Sequence, residues 1–598
     1  MNLTDKKRHL LTACGIFGLA FVLRLVFDFY LRNHYPFYDY PSSDVSYYLS
    51  WARSIAIGEW ERQGSFIGLP LFPHFLSLLY RLCLGNMTAL RLAMMALGAA
   101  NCVLIYLLAN RLFNYRIALA SGVLTAVSFT CIYYDRLIMP PTLLIFLSAV
   151  IMLSLLERQS FTIKHWFLIG VLLGLCLVGD GKFLFYTAFL AVYLALENRS
   201  LRHLLKMTLA PLFAGIMLIL LMSGARNLFA YGEWIWISPQ SGLSLFAGNN
   251  PQANGYFENM EEIRPTHFGQ DTDQILMAQQ ETGRAMSLKE VSAHYKHKAV
   301  DFITHEPPAF LLLLGKKTLV FLQEVEASYD DLDLIFLRKL KWRLDINPVT
   351  LMLPLAALGI LLSWRTPNIK LLTLLIASQL LIVLIFFFVN RFRASIFPFL
   401  IIFEVTAIDW LIAKIKAKQF IPVLSAFIFI LGCLVANQPR PIDAATFDHL
   451  YLSKKGFILE QKGDAPMAMV AYRQALEIRP QDTTLLFNLG NVHLNLSYLT
   501  TAKEYYIRTI QLNALHVDAY VNLGYAYEML REYESAIEAY TKALQLNPAS
   551  TDVAFQLGVI YVNQGQCDQA QRILNYDLRA ENLLQAKFRP ILNTCINK

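Results

Sequence analysis

The chain has 598 residues, of which 56% are hydrophobic and 13% aromatic but only 16% charged, with a formal charge of +8. Soluble domains carry about a quarter charged residues, so a purely soluble protein is excluded and many apolar spans with soluble mass attached are expected. The charge is uneven. Residues 443–598 hold 14 Lys+Arg against 16 Asp+Glu, and the remainder holds 38 against 28. Basic residues beside apolar spans face the cytoplasm and anionic lipid, so the excess is not read as nucleic-acid binding.

In chain order, Lys6, Lys7 and Arg8 precede the apolar run 10–30. The run is too long for a signal peptide and no small-residue cleavage site follows, so it reads as a retained first span with a cytoplasmic N-terminus. Residues 31–68 then face outward. They hold FYDYPSSDVSYYLSWARSIAIGEW, in which Asp44 precedes Tyr47, Tyr48 and Trp51 at helical spacing. Ser42-Ser43-Asp44 also suits a helix N-cap, the bland reading of this carboxylate.

Residues 69–84 are too short to span and contain His74 and Arg81, so an interfacial helix is expected. Spans follow at 88–112, 117–134 and 139–156. A short hairpin, 165–179 and 183–196, turns outside at GDGK. A further span covers 207–223, and each inner loop carries Lys or Arg. Residues 224–348 form a long outer loop. Within it, 309–326 carries Lys316 and Lys317 at its centre and is placed at the interface, since charge at the bilayer centre is costly. If that segment spans instead, every later orientation flips. Four more apolar segments, 349–364, 370–389, 394–413 and 419–436, bring the count to about eleven spans with an outward C-terminus.

After a linker at 437–446 a 34-residue period appears. Gly456, Gly490, Gly524 and Gly558 share it, as do Ala468, Ala502, Ala536 and Ala570, and Tyr472, Tyr506 and Tyr540. Residues 447–582 are similar to tetratricopeptide repeats: helix pairs with small residues where the helices cross, stacked into an α-solenoid with a groove for a protein partner. Residues 583–598 form a terminal cap.

Candidate chemistry lies at the outer ends of spans. Asp135, in YYDRLIMPP, is a second carboxylate that could pair with Arg136. Asp180 and Lys182 sit in the hairpin turn, and Arg391 and Arg393 in VNRFRASIFP. Basic groups at a membrane edge are commonly anchors. Several of them on one face with two carboxylates suit a phosphate-bearing lipid instead. Asn249 and Asn250, in GNNPQANGY, read either as sugar contacts or as a loop-building turn.

Residues 1–436 resemble the polyprenyl-phosphate-sugar glycosyltransferases of the GT-C class, specifically the bacterial relatives of protein O-mannosyltransferases. The resemblance rests on the order of DVSYYLSWARSIAIGEW, GLPLFPHFLSLLYRL, IYYDRLIMPPTLL, GLCLVGDGKFLFY, RNLFAYGEWIWISPQSGLSLFAGNNPQANGYF and NRFRASIFPFLIIFE. It implies an all-α architecture: a polytopic membrane domain, then the repeat solenoid. It implies an inverting transferase that takes a polyprenyl-phosphate-linked sugar to a protein or glycan hydroxyl on the outer face of a bacterial inner membrane. Asp44 would serve the acceptor and Asp135 would orient it. Lys182, Arg391 and Arg393 would hold the donor phosphate, and Tyr47, Tyr48, Trp51, Asn249 and Asn250 the substrates. Many relatives carry two adjacent acids in the first loop, whereas Val45 follows Asp44 here. No metal ligand is assigned and no cofactor is required, though a divalent metal is compatible with the pattern.

The alternative is an inactive membrane-anchored repeat scaffold. An O-antigen ligase or polymerase fits the motifs less well. With the repeats in the periplasm, Cys567 and Cys595 lie in an oxidising compartment, and a disulfide between them is expected.

Overall fold

The structure is a computed structural model that describes residues 3–40, 43–58, 70–197, 200, 202, 204–238, 240–256, 267–323, 348–436, 444–548 and 550–574. It is helical, and the one isolated β-bridge among the described residues joins Tyr256 to Phe388. The chain forms two compact units. The first is Met1–Glu258 with Ser287–Pro441, and the second is Asn259–Met286 with Ile442–Lys598. All of 224–348 was expected in the membrane part, whereas Asn259–Met286 groups with the repeats.

The first unit opens with α1 (Leu3–His34), α2 (Ser43–Ile57), α3 (Leu71–Leu82) and α4 (Met87–Leu112). Next come α5 (Tyr115–Val127), α6 (Phe129–Arg136), α7 (Pro140–Leu155), α8 (Ile163–Gly179), α9 (Phe183–Glu197) and α10 (Ala210–Tyr231). In the long loop lie α11 (Ser241–Gly248), α12 (His267–Thr282, part of the second unit), α13 (Leu288–His305) and α14 (Pro307–Leu322). The first unit closes with α15 (Val349–Ser363), α16 (Ile369–Ile385), α17 (Asn390–Ala394), α18 (Phe397–Lys416) and α19 (Phe420–Ala436).

Among the described residues, three helices are long and apolar enough to cross a membrane: Lys6–His34, Met87–Leu112 and Leu204–Phe229. A fourth span arises if α5 and α6, bent by 55° at Ser128, are one broken span. Six further apolar helices are shorter, of 10–17 residues. Helix α18 is buried at every position from Phe397 to Ala407. A helix buried on all sides belongs at the centre of its bundle, and α18 packs among α4, α5 and α15.

The second unit contains four helix pairs: α20 (Ala444–Gln461) with α21 (Ala465–Ile478), α22 (Thr483–Asn495) with α23 (Leu499–Leu512), α24 (Val517–Met529) with α25 (Tyr533–Leu546), and α26 (Thr551–Asn563) with α27 (Cys567–Leu574). The 34-residue pattern has a packing cause. A Cβ on Gly456, Gly490 or Gly524 would fall 2.5–2.8 Å from the ring of Tyr472, Tyr506 or Tyr540. Each glycine therefore lets the second helix of its own repeat lay an aromatic ring on the first. Those tyrosines are at most 1% exposed, and their hydroxyls donate to Glu460 (2.9 Å), Asn491 (2.8 Å) and Glu528 (3.1 Å). The first repeat is tied to the second by His449, which meets Asp482 at 3.0 Å. Burial would raise the Asp482 carboxyl, but His449 and the Leu485 and Thr484 amides hold it below the usual carboxylate range.

Cys567 is disulfide-bonded. Its expected partner Cys595, the cap at 583–598 and most of the linker lie outside the described residues.

Candidate active site

The site is built around α2. Val45 and Ala52 pack with Phe72 and Leu76 of α3 and with Met94, Ile138 and Leu143. Tyr48 meets the Phe72 ring edge-on at 5.3 Å, and Tyr47 lies 5.7 Å from Tyr48 and 5.6 Å from Trp51. Trp51 is buried in this packing, while Tyr47 and Tyr48 are half-buried. Arg81 of α3 donates to the carbonyls of Ile55 and Ala56, both at 3.1 Å, and so caps the C-terminus of α2.

The approach to α2 is pinned by Tyr38. Its hydroxyl donates to Asp28 at 2.9 Å, Asp28 pairs with Arg136 at 3.2 Å, and Arg91 and Arg136 lie over its ring at 4.4 and 4.8 Å. Ser42, half of the proposed cap, lies outside the described residues.

Asp44 sits in the first turn of α2, buried, and forms an ion pair with Arg391 of α17. The short α17 gathers three elements. Arg391 reaches Asp44. The Phe392 ring takes the Lys182 ammonium at 3.8 Å. Arg393 donates to the carbonyls of Phe321 and Gln323, both at 2.8 Å, at the end of α14. Lys182 also pairs with Asp180 at 2.6 Å. The structure therefore brings Asp44, Lys182 and Arg391 around one helical turn.

Three of the candidate residues are engaged by the protein itself. Arg393, expected on the donor phosphate, is buried and braces α14 through two backbone carbonyls. Asn249, expected on a sugar, is fully buried; its amide donates to Leu245 and Ile385 at 2.7 Å, and its carbonyl accepts from Lys317 at 2.9 Å. Asn250 folds back onto the carbonyls of Phe246 (2.9 Å) and Ala247 (3.3 Å) and accepts from the Gln252 amide at 2.9 Å, so it builds the turn.

Asp135 does not pair with its neighbour Arg136. It is buried between α1 and α7, where Arg24 donates twice to one oxygen (2.6 and 3.0 Å) and Thr142 donates to the other at 3.0 Å. Arg24 itself is fully buried. Arg24 escaped notice in the sequence, yet a charge inside the apolar run 10–30 was a signal that a partner must exist.

Lys317 was also missed. Its charge suggests an interfacial position, whereas its ammonium is buried on Asn249 and on the Leu384 carbonyl (3.0 Å), at the negative end of α16. Lys316 beside it is exposed. Just beyond, the Phe388 amide donates to Gly255 at 2.9 Å. Lys317, Asn249, Gly255 and Arg393 thus fix residues 384–393 from both sides, and that segment presents Arg391.

Among the described residues no three His, Cys, Asp or Glu side chains gather to hold a metal ion.

Residues 68–226 match the family model of dolichyl-phosphate-mannose-protein mannosyltransferases, and residues 451–482 and 517–550 match tetratricopeptide-repeat models. The chain joins a mannosyltransferase-family domain to tetratricopeptide repeats. The mannosyltransferase match supports a polyprenyl-phosphate-sugar glycosyltransferase, and with the apolar helices it makes this a membrane protein. Asp135 and Lys182 lie inside the matched residues of the mannosyltransferase-family domain; Asp44 and Arg391 lie outside them.

No curated protein matches the chain. Among solved structures, MamA is 24% identical over 25% of this chain and 87% of its own, with a TM-score of 0.22. The first tetratricopeptide domain of Spaghetti, bound to an HSP90 peptide, is 23% identical over 20% of this chain and 93% of its own (TM-score 0.19). YrrB, described as having an unusual peptide-binding site, is 19% identical over 24% and 84% (TM-score 0.21).

Proposed function

We propose that the chain is an inverting glycosyltransferase of the inner membrane. It moves a sugar from a polyprenyl-phosphate donor to a hydroxyl of a protein or glycan acceptor on the outer face. The observation that carries this reading is the Asp44–Arg391 pair, which joins residues 347 apart in sequence beside Lys182.

The reaction needs a base at one end of a displacement and positive charge at the other. Asp44 takes the acceptor's O–H proton as that oxygen bonds to the anomeric carbon. The bond from that carbon to the phosphate oxygen breaks, and the oxygen keeps the electron pair. Arg391 and Lys182 stabilise the departing phosphate. One displacement inverts the anomeric centre, so no covalent enzyme intermediate forms.

The ion pair gives donor binding a second effect. A carboxylate held by a guanidinium is a weaker base than one released from it. A phosphate draws the Arg391 fork toward itself and leaves Asp44 available to the acceptor. Tyr47 and Tyr48, half-buried, offer ring faces to the substrates along the same helix, whereas Trp51 is buried and backs them. Asp135 keeps a supporting role: it is locked to Arg24 and Thr142 in the bundle that carries α6 and α7.

The repeats bind a protein acceptor or partner. The disulfide at Cys567 supports an oxidising, periplasmic location for their unit.

Asp44→Asn tests the reading. Proton transfer to a placed base contributes about 10²–10⁴-fold, so transfer from the polyprenyl-phosphate donor should fall by at least about 10²-fold while the protein still accumulates in membranes. Transfer at the wild-type rate would sink the assignment.

A further inference from the structure

The second unit contains a helix that belongs to none of its repeats. Helix α12, from the long loop, groups with residues 442–598. Leu276 packs against the cluster of the third and fourth repeats that contains Val517, Tyr540, Val553 and Leu557. Ala278 is completely buried, and Asp273 and Gln274 are 1% and 5% exposed. Ile275, Leu276 and Met277 are half-buried. At 100° per residue, the positions from Leu276 through Asp273 and Gln274 to Ala278 cover about 200° of the helix surface. These positions form the covered face of α12, with Leu276 on the repeats.

The repeats do not need it as core. The first three repeats each close their own glycine–tyrosine crossing, and each repeat stacks on the next. Leu276 and Val517 are 241 positions apart in sequence, so the contact is not a by-product of local chain geometry. Asp273 and Gln274 are buried polar groups with partners, so this face of α12 is not purely apolar.

We propose that the third and fourth repeats form a receptor for an amphipathic helix, and that α12 is its built-in ligand. Held in the same chain, α12 acts at an effective concentration of about millimolar, so a free peptide meets a site already filled. A protein partner takes this site by presenting a helix of the same chemistry and displacing α12. This inference stands whether or not the transferase reading holds.

The probe is a fluorescent synthetic peptide of residues 267–286, added to the full-length protein in detergent. Leu276→Asp and, separately, Ala278→Glu unseat α12 without altering the repeats. The peptide should bind each variant at least about tenfold more tightly than it binds wild type. Hydrogen exchange at 273–282 should be slow in wild type and fast in both variants. Equal peptide affinity for wild type and variants overturns the proposal, as does failure to bind any of them. Wild-type exchange at 273–282 as fast as in the free peptide overturns it too, and needs no variant to fold.

Discussion

Gly248→Ala tests whether the position of Arg391 sets the activity. Gly248 ends α11, where a Cβ would stand 1.9 Å from the Phe386 carbonyl oxygen and 2.4 Å from its carbon. Real Cβ contacts essentially never fall below 3.0 Å, so backbone must retreat by about 1.1 Å. Phe386 lies five residues before Arg391, in the segment held by Lys317, Asn249 and Gly255. A misplacement of about 1 Å can cost about 10²-fold in rate. The strain also costs about 1–3 kcal/mol, the range for overpacking a close-packed site. The assay pairs transfer rate at saturating donor with thermal unfolding in detergent. The expected result is a rate loss of about 10²-fold with a modest fall in Tm. Full rate alongside a lowered Tm would refute the reasoning, because strain would then be present without effect on the site.

Two further outcomes follow from the geometry. Arg391→Lys keeps a charge beside Asp44 but removes the planar fork, so KM for the polyprenyl-phosphate donor should rise about tenfold with a smaller change in kcat; an unchanged donor KM would separate Arg391 from the phosphate. Asp482→Ala removes the cap of α22, where Asp482 accepts from the Leu485 amide at 3.0 Å, and also the His449 contact, a loss of about 1–2 kcal/mol. The folded-state carboxyl titrates lower than in the unfolded chain, so its contribution is present above the unfolded value of about 3.9 and lost as pH falls through the folded value. The gap between wild type and variant, followed by limited proteolysis of the repeats in the full chain, should therefore be open at pH 7 and close below about pH 4. A gap that does not change with pH would contradict the assignment.

The repeats were legible because one packing event, a tyrosine ring on a glycine, recurs at a fixed interval and leaves its residues in phase. The aromatic helix with Asp44 at its start was legible for a similar reason, since helical spacing is local. Its partner was not. Arg391 lies 347 residues away, and pairing at that distance is decided by how α17 is held, which no local pattern encodes. Arg393 and Arg391 look alike in sequence. Burial separates them, sending one to backbone carbonyls and the other to a carboxylate. Asn249 reads in sequence as a sugar contact or a turn residue, yet its carbonyl accepts from the buried Lys317. The grouping of Asn259–Met286 with the repeats was hidden because that stretch lies inside a loop whose two ends belong to the other unit.

The Arg24–Asp135 contact has a consequence for synthesis. The two residues are separated by 111 positions, and Arg24 emerges first. At about 5–20 residues per second, the first span waits roughly 6–22 s for the carboxylate that neutralises it. During that interval an unpaired arginine near mid-membrane carries a cost of about 2.5–3.5 kcal/mol. The first helix is therefore a poor candidate for early release into lipid. Its stable integration is timed by the arrival of the sixth helix, and a truncation that ends before Asp135 should leave it held at the insertion machinery.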